Sequence, residues 1–260
     1  MRKLSRFFVA VTVLWAGSVS TSLADGEFKS VDFPTAGGIE AKADVYESKN
    51  QSATLVLLFH QAGWSRGEYR EIAPKLVKLG YRVMAVDQRS GGGVNGVPNE
   101  THKRAAKKGL ARSYLDAYAD LEAALAYARK NLKAERVIVW GSSYSASLVF
   151  RLTAEHPGDV AAVMAFAPGE YFKKQEGPDY VQGLAKRVKQ PVFVTSSKRE
   201  REQVVPIFDA SPADKKILFT PASKGQHGSR ALWAKWPDND VYWAAVNGFL
   251  AKYAPPTAPN

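Results

Sequence analysis

Along residues 27–33 polar and apolar side chains alternate, the two-residue period of a half-buried strand. Residues 34–38 supply turn chemistry and 39–46 alternate again, which predicts an antiparallel hairpin. The next run, 53–59, is apolar throughout and reads as a strand covered on both faces. Further strands are predicted at 81–87, 136–140, 160–166, 191–196 and 215–220. Between them lie helical patterns. Residues 69–79 are amphipathic and stopped by Gly80, with Pro74 inside; 113–130 carries Leu115, Tyr118, Leu121, Leu125 and Ala128 on one face; further helices are expected at 200–208 and 241–253. Residues 88–96 form a loop with three consecutive glycines, and 94–112 shows no clear period. The polar stretch 170–190 reads as a surface excursion with one helix. A hairpin followed by alternating strands and helices predicts an α/β fold, a mostly parallel eight-stranded sheet with helices on both faces. No linker composition interrupts it, so 25–254 is read as one domain, with 255–260 a disordered tail.

Composition narrows the class. The 260 residues contain no cysteine, which excludes a disulfide framework, a thiolate metal site and a cysteine nucleophile. Arg2, Lys3 and Arg6 precede an apolar stretch, and Ser22-Leu23-Ala24 offers small residues for cleavage, so 1–24 is expected to be a signal peptide. An exported chain without disulfides is expected in the periplasm, with secretion the other destination. Without that segment 33 basic residues face 25 acidic ones, a formal charge of +8. The positive charge is spread along the chain, and its densest cluster (His102, Lys103, Arg104, Lys107, Lys108) lacks interleaved aromatics. It reads as a solvated surface, and no nucleic-acid partner is expected.

The candidate chemistry centres on Gly141-Ser142-Ser143-Tyr144-Ser145, where the strand at 136–140 runs directly into helical spacing. A strand passing into a helix through Gly-x-Ser-x-small is a nucleophile elbow, which lifts the central Ser143 above the sheet edge. A serine acting on an acyl group needs a base, an acid to orient the base, and donors for the oxyanion, all from loops at the carboxyl ends of strands. Of four histidines, His227 is best placed. It follows the last strand between glycines, whereas His156 ends a helix, His102 lies in the basic loop and His60 sits where an oxyanion loop begins. Glu200 and Glu202 follow the strand at 191–196, with Asp209 further on. Glu200 is preferred because it lies just past the strand end, and either glutamate could instead be a helix-starting carboxylate. The oxyanion donors are expected to be the backbone N–H groups of Tyr144 and Gln61. Trp64 and Tyr144 could line a substrate pocket or simply pack, and Trp233, Trp236 and Trp243 read as packing.

The order Ser143, Glu200, His227 resembles the nucleophile-acid-histidine order of the α/β-hydrolase superfamily. His60-Gln61-Ala62-Gly63 is similar to its oxyanion loop, and Asp87-Gln88-Arg89-Ser90-Gly91-Gly92 to the loop after its next strand. The resemblance spans residues 28–249 and is nearest to small, capless dienelactone-hydrolase-like or esterase-like members. Three positions depart from the pattern: Ser145 and Gln61 stand where glycine is usual, and the acid is a glutamate. A serine nucleophile also argues against dienelactone hydrolysis itself, for which that group uses cysteine. The resemblance implies a serine hydrolase acting on a small-molecule ester or similar acyl compound through an acyl-enzyme, with neither metal nor cofactor. A peptidase or amidase would use the same residues, and a non-catalytic, ligand-binding hydrolase fold is the reading from another class.

Overall fold

The computed structural model describes residues 27–49 and 52–258. The expected signal peptide lies outside them. Ten strands occur among these residues: β1 (Lys29–Thr35), β2 (Ile39–Tyr46), β3 (Thr54–Phe59), β4 (Arg82–Val86), β5 (Gly93–Val94), β6 (Val97–Pro98), β7 (Arg136–Ser142), β8 (Ala162–Phe166), β9 (Val192–Thr195) and β10 (Lys216–Phe219). Eight of them form one sheet in the order β1-β2-β4-β3-β7-β8-β9-β10, and β5 and β6 make a separate two-residue hairpin. The β1–β2 and β2–β4 pairs are antiparallel and the remaining pairs in the large sheet are parallel.

The unbroken apolar runs lie where the sheet is covered on both sides. Leu57 at the centre of β3 pairs with Met84 on one side and Val139 on the other. Alternation then sorts each strand's side chains between two cores. Leu55, Leu57, Phe59, Val137 and Val139 face one way, with α3 (Tyr118–Lys130), α4 (Tyr144–Glu155), α6 (Tyr180–Ala185) and α7 (Arg201–Ala210). Val56, Leu58, Ile138 and Trp140 face the other, with α1 (Ile72–Lys78) and α8 (Asn239–Tyr253). Each such fully buried side chain contributes about 1.5–3 kcal/mol of transfer free energy, so the centre of the sheet is its most strongly held part.

Several elements differ from the sequence pattern. The aperiodic stretch at 94–112 holds α2 (Glu100–Lys107), whose buried residues are only Thr101 and Ala105, so it shows no apolar stripe. Asn99 caps it by accepting from the His102 N–H at 2.8 Å. The helix expected from 113 begins at Tyr118, because the Ser113 N–H donates to Asp116 Oδ2 (2.7 Å) and Asp116 N–H to Ser113 Oγ (3.3 Å), closing a turn first. Pro74 falls in the first turn of α1, where no intrahelical N–H is required. The 170–190 excursion contains two short helices, α5 (Lys173–Glu176) and α6, rather than one. Part of the tail expected to be disordered is fastened: Thr257 O accepts from Ala53 N–H (2.8 Å) and Ser52 Oγ (3.0 Å). Among the described residues no helix is long and apolar enough to cross a membrane.

Candidate active site

The carboxyl ends of β3, β7, β8 and β9, with the loop after β10, carry the residues singled out above, as expected for an open parallel sheet. Ser143 links β7 to α4 with φ 59° and ψ −123°, a conformation rare for a non-glycine residue, and its N–H donates to Phe166 O at 2.8 Å. The tightness of this turn fixes Gly141, where a Cβ would lie 2.2 Å from Ser145 O. Backbone strain held at one residue by a rigid strand and helix is a recurrent feature of functional positions.

The His227 loop and the Glu200 turn meet. His227 Nδ1 lies 2.6 Å from Glu200 Oε1, and Glu200 Oε2 accepts from Ser197 Oγ (2.6 Å) and Ser197 N–H (3.2 Å). Burial alone would raise the Glu200 carboxyl, but the hydrogen bonds from His227 and Ser197 outweigh it and hold the group at about 2. Glu202 lies exposed in the first turn of α7, and Asp209 is exposed near its far end. With Nδ1–H directed at Glu200, His227 Nε2 has no partner among the described residues. Gly228 lets this loop close on the elbow, since a Cβ there would lie 2.5 Å from Ser142 Oγ.

Ser143 and His227 are not hydrogen-bonded to each other. Among the described residues Ser143 Oγ donates to the Tyr171 hydroxyl at 3.4 Å, and that hydroxyl donates to Ala167 O at 3.0 Å. The Tyr171 hydroxyl is raised chiefly by burial and further by the nearby Glu200 carboxylate, so the Glu200–His227 pair and Ser143 share one neighbourhood.

The oxyanion loop departs from expectation at Gln61. Its N–H donates to Glu68 Oε2 at 2.8 Å and so is already committed. The turn from Gln61 to Trp64 closes through Trp64 N–H to Gln61 O (3.3 Å) and leaves the next amide, Ala62 N–H, without an acceptor among the described residues. Tyr144 N–H, at the first turn of α4, is likewise free of an intrahelical partner. Here the backbone amides without an acceptor among the described residues are therefore those of Ala62 and Tyr144, whereas the Gln61 N–H is taken by Glu68.

Glu68 was missed at the sequence level because it sits in the polar string Ser65-Arg66-Gly67-Glu68-Tyr69, which looks like a helix approach. It is fully buried in a single turn of 3-10 helix, Arg66–Tyr69. Its second carboxylate oxygen accepts from Ser142 Oγ at 2.7 Å, and Ser142 Oγ accepts from Ser229 N–H at 2.9 Å. One carboxyl thus ties together the oxyanion loop, the elbow and the loop carrying His227. Burial pushes Glu68 up to about 7 despite the hydrogen bonds from Ser142 and Gln61.

Residues 50–232 match the hydrolase family described as serine aminopeptidase, S33. The chain belongs to that serine hydrolase family. No curated protein matches this hydrolase. Its fold is shared with the Pyrococcus furiosus esterase Pf2001 (20% identity, TM-score 0.65, covering 87% of this chain and 93% of that one). It is shared also with a dienelactone hydrolase from Anabaena variabilis (15%, TM-score 0.66, covering 87% and 98%). A Pyrococcus horikoshii acylaminoacyl peptidase (18%, TM-score 0.62) covers 88% of this chain, which spans 42% of that protein.

Within the α/β-hydrolase fold, the unusual Ser145 has a structural explanation. Its fully buried hydroxyl donates to His60 O at 2.6 Å and accepts from Gln88 Nε2 at 2.6 Å, joining the elbow helix to the ends of β3 and β4. Ser145→Ala should therefore destabilise the hydrolase by about 1–3 kcal/mol, since it orphans a buried amide donor and a carbonyl. Chemical denaturation measures this; an unchanged midpoint would show that the two bonds are replaced. His60 is also structural. Burial pushes it down to about 4, Nδ1 lies 2.9 Å from Gln61 O, and Nε2 accepts from Gln88 N–H at 3.0 Å. His102 Nδ1 bonds Arg89 O and His156 Nε2 approaches Glu122, both away from Ser143.

Trp64 is not part of the lining of the cleft beside Ser143 or of the hollow beside His227. Its ring stacks on Trp233 (5.2 Å between centroids, 9° interplanar) against the α1–α8 core. The apolar cleft near the nucleophile is formed by other residues, Ser113, Tyr114, Leu115, Tyr171, Phe172 and Gln175. Among the described residues the one grouping with metal-ligand geometry, Glu122, Glu155 and His156, does not include Ser143, Glu200 or His227, and Glu155 there is already bonded by Tyr118 and Arg151.

Proposed function

We propose that this hydrolase cleaves a carboxylic ester through an acyl-enzyme on Ser143, with His227 as base and Glu200 as the acid that orients it. The Glu200–His227 pairing, beside a serine held at positive φ, carries the reading. On substrate binding the Ser143 hydroxyl turns from Tyr171 to His227 Nε2, a tightening expected between a resting site and its Michaelis complex. Oγ then bonds to the carbonyl carbon as His227 takes its proton. The ester C–O bond breaks and His227 delivers that proton to the leaving alcohol. Water, deprotonated in turn by His227, releases the acid. The Ala62 and Tyr144 amides receive the oxyanion, each worth about 3 kcal/mol of transition-state stabilisation.

The family description and the peptidase neighbour favour one second reading, aminopeptidase or amidase chemistry. A free peptide N-terminus is an ammonium and needs a carboxylate to receive it. The cleft beside Ser143 has none, and the hollow beside His227 is lined by Arg199, Lys224 and Arg230. Glu200 and Glu68 are both committed. Positive surroundings therefore favour ester over aminopeptide. A panel of 4-nitrophenyl esters against aminoacyl 4-nitroanilides decides: faster anilide turnover would overturn the esterase reading.

The acid is tested by comparing Glu200→Gln with Glu202→Gln. The first should lower kcat by about 10²–10⁴-fold, as loss of imidazole orientation does in other triads, and the second should change it less than about twofold. A larger loss for Glu202→Gln would move the acid to that residue. Because Glu200 is held at about 2, it stays ionised across the working range, so the acid limb of the pH–rate profile should not come from Glu200.

A further inference from the structure

We infer that the cleft between residues 113–115 and 171–175 is the acyl subsite of this hydrolase and that it takes a compact aromatic acyl group. The inference rests on the ester-hydrolase reading above and adds the substrate class to it. Three observations on the molecule carry it.

The first is contiguity. Tyr171 is a wall of the cleft, and its hydroxyl is the hydrogen-bond partner of Ser143 Oγ. A group seated against the Tyr171 ring therefore has its carbonyl beside the nucleophile. The hollow beside His227, by contrast, is polar and cationic.

The second is the lining. Tyr114, Leu115, Tyr171 and Phe172 present rings and one aliphatic side chain, with the Gln175 amide and Ser113 hydroxyl as the polar groups and no charge. Tyr114 and Tyr171 are among the few large apolar side chains left exposed, at 41% and 36%. Rings left open next to a nucleophile are better explained by a ligand than by folding, which would bury them. Tyr114 already stacks on the buried Tyr144, the residue after the nucleophile, at 4.5 Å between centroids and 17° between planes. One face of Tyr114 is thus covered and its exposed surface lies on the rest of the ring, where a planar substrate group can extend the stack.

The third is size. The cleft holds about 230 Å³. That is below the ~300–1,000 Å³ of sites that enclose drug-sized ligands, a size that suits one substituted ring. In the reaction the carbonyl carbon of the ring-bearing acyl group bonds to Ser143 Oγ, its bond to the alcohol oxygen breaks, and hydrolysis releases the ring-bearing carboxylic acid.

The test uses three 4-nitrophenyl esters, which share a leaving group: phenylacetate, butyrate and decanoate. In phenylacetate the ring is not conjugated to the carbonyl, so differences report binding rather than intrinsic reactivity. Phenylacetate should exceed decanoate in kcat/KM by about 10-fold, the scale of one aromatic contact. Tyr114→Ala should reduce the phenylacetate-to-butyrate ratio by about 5–10-fold, mainly through KM, and Tyr114→Phe should restore it. A preference for decanoate, or an unchanged ratio in Tyr114→Ala, overturns the inference. A second arm does not need turnover. Saturation-transfer NMR with 2-phenylacetamide should mark the ligand ring in the wild type and lose the effect in Tyr114→Ala. Equal transfer in both, or none in the wild type, also overturns it. If the amide binds through Tyr114 while none of the esters is cleaved, the subsite stands and the ester-hydrolase reading falls.

Discussion

Ser143→Ala should lower kcat on 4-nitrophenyl butyrate by about 10⁴-fold or more and abolish labelling by a fluorophosphonate, while leaving stability nearly unchanged. The combination follows from how the three serines of the elbow use their hydroxyls. Ser142 Oγ is bound into the scaffold by Glu68 and Ser229, and Ser145 Oγ by His60 and Gln88. Among the described residues Ser143 Oγ has only the long contact to Tyr171. Alanine keeps the Cβ, so the φ of 59° costs the variant no more than the wild type. A fixed, strained backbone with an uncommitted hydroxyl is the signature of a group kept for reaction rather than for folding. Ser142→Ala is the matching control. It should label with the fluorophosphonate yet melt lower, because it strips a donor from Glu68 and an acceptor from Ser229 N–H. If Ser143→Ala labels as fully as the wild type, the nucleophile is another residue.

The parts of this molecule readable from sequence are those that depend on local pattern. Runs such as Leu55-Val56-Leu57-Leu58 read as a strand covered on both faces because a short aliphatic, β-branched run bounded by turn residues suits a central parallel strand. Gly141 marks the elbow because only a missing Cβ admits Ser145 O at that distance. Glu200 and His227 could be proposed from their places just beyond strand ends. What was not readable depends on where distant backbone turns. Whether Gln61 or Ala62 offers a free amide is decided by Glu68 reaching back across seven residues to take one of them. The substrate wall is decided by the turn at 113–116 and the excursion after β8, which carry Tyr114 and Tyr171 to the nucleophile, whereas Trp64 leaves it to stack on Trp233. Helix α2 was hidden for a chemical reason, since a threonine and an alanine suffice to seat it. The tail was hidden because Pro255 and Pro256 suggest no structure until Thr257 is seen to pair with Ser52 and Ala53.

Glu68→Gln should separate stability from positioning more sharply than any other change. The amide keeps the volume and one carbonyl for Gln61 N–H, but its NH2 faces Ser142 Oγ, which already accepts from Ser229, and the Ser142 hydroxyl proton loses its acceptor. One buried group left unsatisfied costs about 1–3 kcal/mol. The three loops tied by Glu68 carry the proposed oxyanion donor, nucleophile and base. Slack of about 1 Å among such groups can cost about 10²-fold, so kcat should fall by that order with KM nearly constant. Burial raises Glu68 from 4.5 in a free chain to about 7 in the fold. Between those values the folded protein retains a proton that the unfolded chain releases. The associated stability is complete below pH 4.5 and is lost as pH rises through 7, a change on the order of 3 kcal/mol. Glutamine has no such term. The stability gap between wild type and Glu68→Gln, measured by chemical denaturation, should therefore be wide at pH 5 and narrow at pH 8. A gap that widens with pH would mean that the ionised carboxylate, not the neutral acid, is what these loops are built around.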